Sequence, residues 1–316
     1  MDNSKNNEHV DFGDVLRYYR KKAKLSQEQL AEDVCTREYI VQIEKGGKIP
    51  TLYIVNALSR KMGINLYDAY AIIIDHNDFD THNKIEELNE AIASHDEKLL
   101  YHLALDYSSL PGFSCGIPLQ CIKHAFAVYC SNVLHDHEKA VAYSTEGLAV
   151  SELNNPEAPP VSTLTNLDAC LLTTKAVGLC RMGNLVEGRK YFKFLHACTK
   201  LRITQSRYIA NRNRRFDLNM FALTAFNICE FFPDSIEENL SLLSESINLL
   251  NDYKCTYMQS ELLLYKARYL YDTGQMSDAR NYFNAGYYLL ICNASTKEAD
   301  KRASGILEDR FSILKD

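Results

Sequence analysis

The sequence predicts an all-α protein in two parts: a small head of short helices, followed by a longer body of stacked helical hairpins. Three observations carry this. Apolar residues recur at helical i, i+3, i+4 spacing, while alternating strand-like runs are scarce. Only 13 Gly and 7 Pro punctuate 316 residues. One local pattern returns along the body at intervals of 48, 51 and 40 residues. With 46% hydrophobic and 24% charged residues, the chain has ample material for packed cores, which excludes an unfolded chain.

Other classes are excluded as directly. The longest apolar run, Ala69 to Ile74, is too short to span a bilayer. The opening MDNSKNNEHVDFGD is polar and acidic, unlike a signal peptide. Ten cysteines form neither a CxxC pair nor a His/Cys set with zinc spacing, and several sit on apolar helical faces. The expectation is a reduced, cytoplasmic protein without metal or cofactor; disulfides are the alternative reading. No phosphate loop, GxSxG, HExxH or dinucleotide turn is present, so the chain is not read as an enzyme.

After a flexible arm over residues 1–11, Phe12 to Lys24 reads as a first helix with Phe12, Val15, Leu16 and Tyr19 inward. Ser26-x-x-Gln29 is a capping box that starts a second helix, with Leu30, Ala31 and Val34 on its apolar face. Cys35 fills the turn. Thr36 caps a third helix to Lys45, whose Ile40 and Ile43 point inward while Arg37, Glu38 and Gln42 point outward. Gly46-Gly47 ends it. A fourth helix follows Pro50, over Thr51 to Met62, and a fifth begins at Leu66. Arg and Gln pair bidentately with purine edges in a major groove, and Glu accepts from cytosine, so the open face of the third helix carries base-reading chemistry. The bland alternative is a helical hairpin with a solvated polar face. Charge favours the first reading weakly. Residues 12–62 hold ten Lys/Arg against six Asp/Glu, a net +4, in a chain whose total is −6.

The series Leu-Ser-Gln-x-x-Leu-Ala, then Ile-x-x-Ile-Glu-Lys-Gly, then Pro50 before an amphipathic helix, resembles the helix-turn-helix domain of the phage-repressor/Xre class over residues 12–70. The resemblance implies that Thr36, Arg37, Glu38 and Gln42 belong to a recognition helix and that Gln27, Lys45 and Lys48 lie at or near phosphates. It makes Arg20 and Glu44 a structural pair joining the first and third helices. One departure from the commonest pattern is a turn, Val34-Cys35-Thr36, shorter by one residue. That turn length resembles the pheromone-responsive members of the class. Cys35 itself is read as a packing residue in preference to a redox centre, because no resolving thiol lies nearby.

A linker over residues 71–83 leads into the body, 84–316. Four segments share a break, an acidic residue and a helix: HDHEKAVAYSTEG, MGNLVEGRKYFKFL, FPDSIEENLSLLSES and TGQMSDARNYFNAG. They place Ala140, Gly188, Asn239 and Ala279 in one column, where two helices should approach closely, with Phe192 and Phe283 four residues on. A fifth, weaker instance places Leu99 there. This is similar to tetratricopeptide repeats, which implies a right-handed superhelix with a concave wall. Candidate ligand residues on that wall are Asn166, Thr173, Asn219, Phe226, Tyr257 and Arg268, with Asn211 and Arg214 from the basic run RYIANRNRR placed to reach a carboxylate. Their alternative role is capping or solvation.

A head of this kind on a repeat body resembles the RRNPP family over essentially the whole chain. That implies a transcription regulator of Gram-positive bacteria with three partners. They are double-stranded DNA carrying a pseudo-palindromic operator, a short signalling peptide, and a second copy in a homodimer. The open alternatives are a DNA-binding regulator with an adaptor body free of peptide control, or Rap-like protein binding.

Overall fold

A computed structural model describes residues 11–64, 66, 70, 79–151, 164–205 and 214–315. They are helical throughout and separate into two compact units, one up to Pro118 and one from Leu119.

The first unit opens with α1 (Phe12–Lys22), α2 (Gln27–Ala31), α3 (Arg37–Glu44) and α4 (Leu52–Met62). Each starts on a side-chain cap. Asp11 and Asp14 form a capping box on α1, Ser26 and Gln29 another on α2, and the hydroxyls of Thr36 and Thr51 accept from the Tyr39 and Ile54 amides. Val15, Leu16, Leu30, Ile40, Ile43, Val55 and Leu58 make the core of this head. Burying each such side chain contributes about 1.5–3 kcal/mol before entropy is counted. Gly13 shows how tightly α1 sits on α3, since a Cβ there would lie 2.1 Å from the Ile43 carbonyl oxygen. Helix α2 is shorter than its apolar spacing predicts. It ends at Ala31, and Asp33 takes a left-handed φ of 61°, so Val34 belongs to the turn, not to the helix. Lys61 of α4 holds that turn by donating to the Glu32 carbonyl, 2.6 Å. The expected fifth helix lies outside the described residues apart from Leu66 and Tyr70.

Two further helices, α5 (Phe79–Ala93) and α6 (Glu97–Tyr107), belong to the same unit. Helix α5 starts inside the stretch expected to be linker. Its first turns are bonded to α1: the Tyr19 hydroxyl meets His82 Nε2 at 2.5 Å, and the Tyr18 hydroxyl donates to Asn83 Oδ1. Burial, with Glu86 adding to it, pushes the Tyr19 phenol up to about 12, so it stays a protonated donor.

The body continues as α7 (Gly116–Tyr129), α8 (His137–Val150), α9 (Asn166–Arg181), α10 (Leu185–Gln205), α11 (Arg214–Phe231), α12 (Ile236–Asp252), α13 (Gln259–Asp272), α14 (Met276–Asn293), α15 (Thr296–Leu307) and α16 (Arg310–Lys315). Successive helices pack as neighbours from α8 onward, and α13 also meets α15. The predicted column is real. Ala140, Gly188, Asn239 and Ala279 are all buried, each four residues past the residue that opens its helix and whose carbonyl accepts its amide. At Gly188 a Cβ would fall 2.3 Å from Cys180 Sγ. Asn239 fills its place differently, donating to the Phe232 carbonyl (2.8 Å) and to the Tyr269 hydroxyl (3.0 Å). The weak fifth instance is off by one. Leu99 is 45% exposed, and Leu100, four past the cap Asp96, is buried in its stead.

Candidate functional site

The first candidate surface is the outward side of α3. Arg37, Glu38, Gln42, Lys45 and Lys48 are all exposed, as is the cap Thr36, while Ile40 and Ile43 enter the core. Lys48 stands 4.9 Å from the centre of the Tyr39 ring, a cation–π contact that fixes the loop after the helix. The helix itself is braced from behind. Arg20 donates from Nε and Nη2 to the two oxygens of Glu44 at 2.6 and 3.0 Å, and from Nη1 to the Leu25 carbonyl at 2.9 Å. Glu44 is 3% exposed and Arg20 11%, so the pair lies inside the head and joins α1 to α3. Gln27 joins it. Its Nε2 donates to Glu44 Oε2 at 2.8 Å, which links α2 to α3 and leaves one amide hydrogen for another acceptor. Burial raises the Cys35 thiol above its ordinary value against the opposing pull of Lys61, as suits a packed, unreactive side chain.

The second candidate lies on the body, where the N-terminal turn of α11 meets the loop between α12 and α13. Arg214, Arg215, Leu218, Asn219, Tyr253, Lys254, Cys255, Thr256 and Tyr257 enclose a pocket of about 580 Å³. Among the described residues three cations line it and no carboxylate does. The Arg214 guanidinium sits 5.4 Å from the Tyr253 ring centre, and the Cys255 thiol donates to Asn219 Oδ1 at 3.7 Å, which leaves the Asn219 amide hydrogens available. Of the eight residues expected to meet a ligand, three come together here: Arg214, Asn219 and Tyr257. Asn211 lies outside the described residues.

The other four have different employment. Thr173 is buried, its hydroxyl donating to the Ala169 carbonyl at 2.8 Å. Phe226 packs edge-on against Tyr265. Arg268 donates to the Ile306 carbonyl at 3.0 Å and pairs with Glu308 at 3.2 Å. Asn166 accepts from Arg202 at 3.4 Å, beside a buried ion pair of Arg202 with Asp217 at 2.9 Å. Tyr253, Lys254 and Thr256 also line the pocket; they lie in the stretch DYKCTY, where Tyr257 alone is placed by helical spacing in the sequence.

Against known proteins, residues 16–68 match the model of the HTH_3 helix-turn-helix family. Residues 16–68 are a helix-turn-helix domain. That makes α2 and α3 its paired helices and Arg20–Glu44 its internal brace. No curated protein matches the chain by sequence. Among solved structures it is similar to PlcR of Bacillus thuringiensis, determined in complex with the peptide PapR7 and DNA, at 14% identity and a TM-score of 0.56; the alignment covers 91% of this chain and 98% of PlcR. It is similar also to the SHP pheromone receptor Rgg2 of Streptococcus dysgalactiae, at 15% identity and a TM-score of 0.50, over 93% of this chain and 99% of that one. The chain shares their fold. Among the described residues no helix is long and apolar enough to cross a membrane.

Proposed function

We propose that this chain is a transcription regulator that binds operator DNA through its helix-turn-helix domain and a short signalling peptide on its repeat body, the peptide altering DNA binding. The observation that carries it is the braced recognition helix. Arg37, Glu38 and Gln42 stand exposed on α3, and a buried carboxylate-guanidinium pair fixes the helix behind them. Donors and acceptors held that rigidly suit base edges. Lys45, Lys48 and the remaining Gln27 hydrogen would serve phosphates, which position the helix without reading sequence. Two copies would place two such helices on half-sites about 34 Å apart, on a pseudo-palindromic operator.

The peptide reading rests on the fold shared with PlcR, whose structure holds both a peptide and DNA, and on the pocket at the start of α11. Its volume lies within the range of small-ligand sites. Its charge balance suits an anionic group, a chain-terminal carboxylate or an acidic side chain, held by Arg214, Arg215 and Lys254, with Asn219 and Tyr257 bonding the adjacent backbone. For the peptide to regulate, it must bind one arrangement of the protein more tightly than another.

The test combines duplex selection from a random library with peptide-dependent thermal shift, both on the full chain. The wild type should enrich a two-fold symmetric site. Arg37→Ala with Gln42→Ala should abolish that enrichment while melting unchanged. Undiminished sequence-specific binding by that variant would sink the DNA half. A peptide library that moves neither melting nor DNA binding would sink the sensor half.

A further inference from the structure

We infer that Val41 is a specificity-determining residue that reads a thymine methyl group in the major groove, a role that rests on the proposed DNA-binding function. Its position on α3 is the starting point. With 3.6 residues per turn, Val41 stands roughly 40° around the helix from Arg37 on one side and from Lys45 on the other. It therefore lies on the arc that Arg37, Lys45, Glu38 and Gln42 occupy, opposite the buried Ile43 and with Arg37 between it and the buried Glu44. Val41 is half-buried, yet it belongs neither to the core of the head nor to the apolar side chains packed on that core, a set that does include Tyr39, Val34 and Cys35.

An apolar, β-branched residue at such a place adds nothing to the apolar core of the head among the described residues, and part of its surface stays open beside Arg37 and Lys45. Valine is also a poorer helix former than the Arg, Glu, Gln and Lys around it, so local stability does not explain it either. A position that breaks the local rule without gain in folding marks a contact made with something else. The major groove offers one apolar feature, the C5-methyl of thymine. A valine isopropyl group among ionic and amide side chains is matched to that feature and to nothing else on the edges of the bases. The assignment also divides the labour on the helix. Arg37 and Gln42 pair with purine edges, Glu38 accepts from a cytosine amine, and Val41 discriminates thymine from cytosine, which lacks the methyl.

The experiment uses the full-length protein on the duplex it selects from a random library, with each thymine in turn replaced by uracil, which removes the methyl and keeps every hydrogen-bonding group. For the wild type, one uracil in one half-site should weaken binding about three- to fivefold, the worth of one buried methyl-sized contact, and one in each half-site by about the square of that. Val41→Ala, which alters both copies, should bind the thymine duplex more weakly by about that squared factor and be indifferent to the uracils. A wild-type profile flat across all uracil positions overturns the inference. So does a Val41→Ala loss that is the same on thymine and uracil duplexes, which would mark a structural role. Val41→Thr, which keeps one methyl on the same branched frame, should retain thymine preference and separates loss of contact from loss of helix. If no duplex is selected at all, the proposed function fails, and that result is distinct from a selected site with no thymine dependence.

Discussion

Removing the Arg20 side chain should loosen the helix-turn-helix domain far more than its partial exposure suggests. Glu44 is 3% exposed and receives three hydrogen bonds, two from Arg20 at 2.6 and 3.0 Å and one from Gln27 at 2.8 Å. Arg20→Ala leaves that carboxylate buried with Gln27 as its main donor, Arg17 Nε standing off at 3.9 Å, and frees the Leu25 carbonyl as well. Breaking one partner of a buried pair typically costs about 3–5 kcal/mol. At 1.4 kcal/mol per decade, hydrogen-exchange protection of the slowest α1 and α3 amides should fall by roughly two to three and a half orders of magnitude. Replacing both partners by apolar side chains, Arg20→Met with Glu44→Leu, removes the stranded charge and should recover most of that loss. Exchange read residue by residue in the full chain isolates the head from the body. The reasoning is refuted if Arg20→Ala leaves protection within about threefold of wild type, or if the double variant is less protected than the single one.

Two other outcomes follow from burial. Desolvation lowers both His124 and His196 to about 4, so each is neutral when folded and the unfolded chain binds more protons between there and the ordinary value near 6.5. Stability is therefore fully present above pH 6.5 and should decline as pH falls toward 4, and the melting temperature should drop between pH 7 and 5, where the lowered carboxyls of Asp300, Glu238 and Asp136 are still ionised. His124→Leu with His196→Leu should flatten that slope; an unchanged slope refutes the assignment. Thiol labelling at pH 8 should modify Cys115 and Cys292 first, since they are exposed, while burial pushes Cys121 and Cys170 up to about 12 and holds them unreactive. Peptide mapping that finds Cys170 labelled as fast as Cys292 would contradict the packing.

Much of the head was legible because its signals are local: caps at Ser26 and Thr36 and an apolar face every turn, whereas the Arg20–Glu44 pair, 24 residues apart, was suggested only by the family resemblance. The end of α2 was not legible, because Asp33 adopts a left-handed conformation that sequence usually assigns to glycine. In the body, the N-cap fixes the phase of each helix, and counting four from Asp96 gives Leu100; aligning by general resemblance gave Leu99. The pocket proposed for the peptide was only half visible. Asn219 follows from helical periodicity and Arg214 from the basic run that opens α11, but Tyr253 and Lys254 enter from a loop whose course depends on how α12 and α13 pack. Thr173 and Arg268 look available in sequence because their partners, a carbonyl four residues back and a carbonyl on another helix, are invisible there.

The two tyrosines on α1 have a mechanical consequence. Tyr18 and Tyr19 grip Asn83 and His82 at the start of α5, so two side-chain bonds tie helices more than sixty positions apart in sequence. Tyr19→Phe with Tyr18→Phe should therefore raise hydrogen exchange in the first turns of α5 while the core of the head stays protected, and unchanged exchange there would refute the tie.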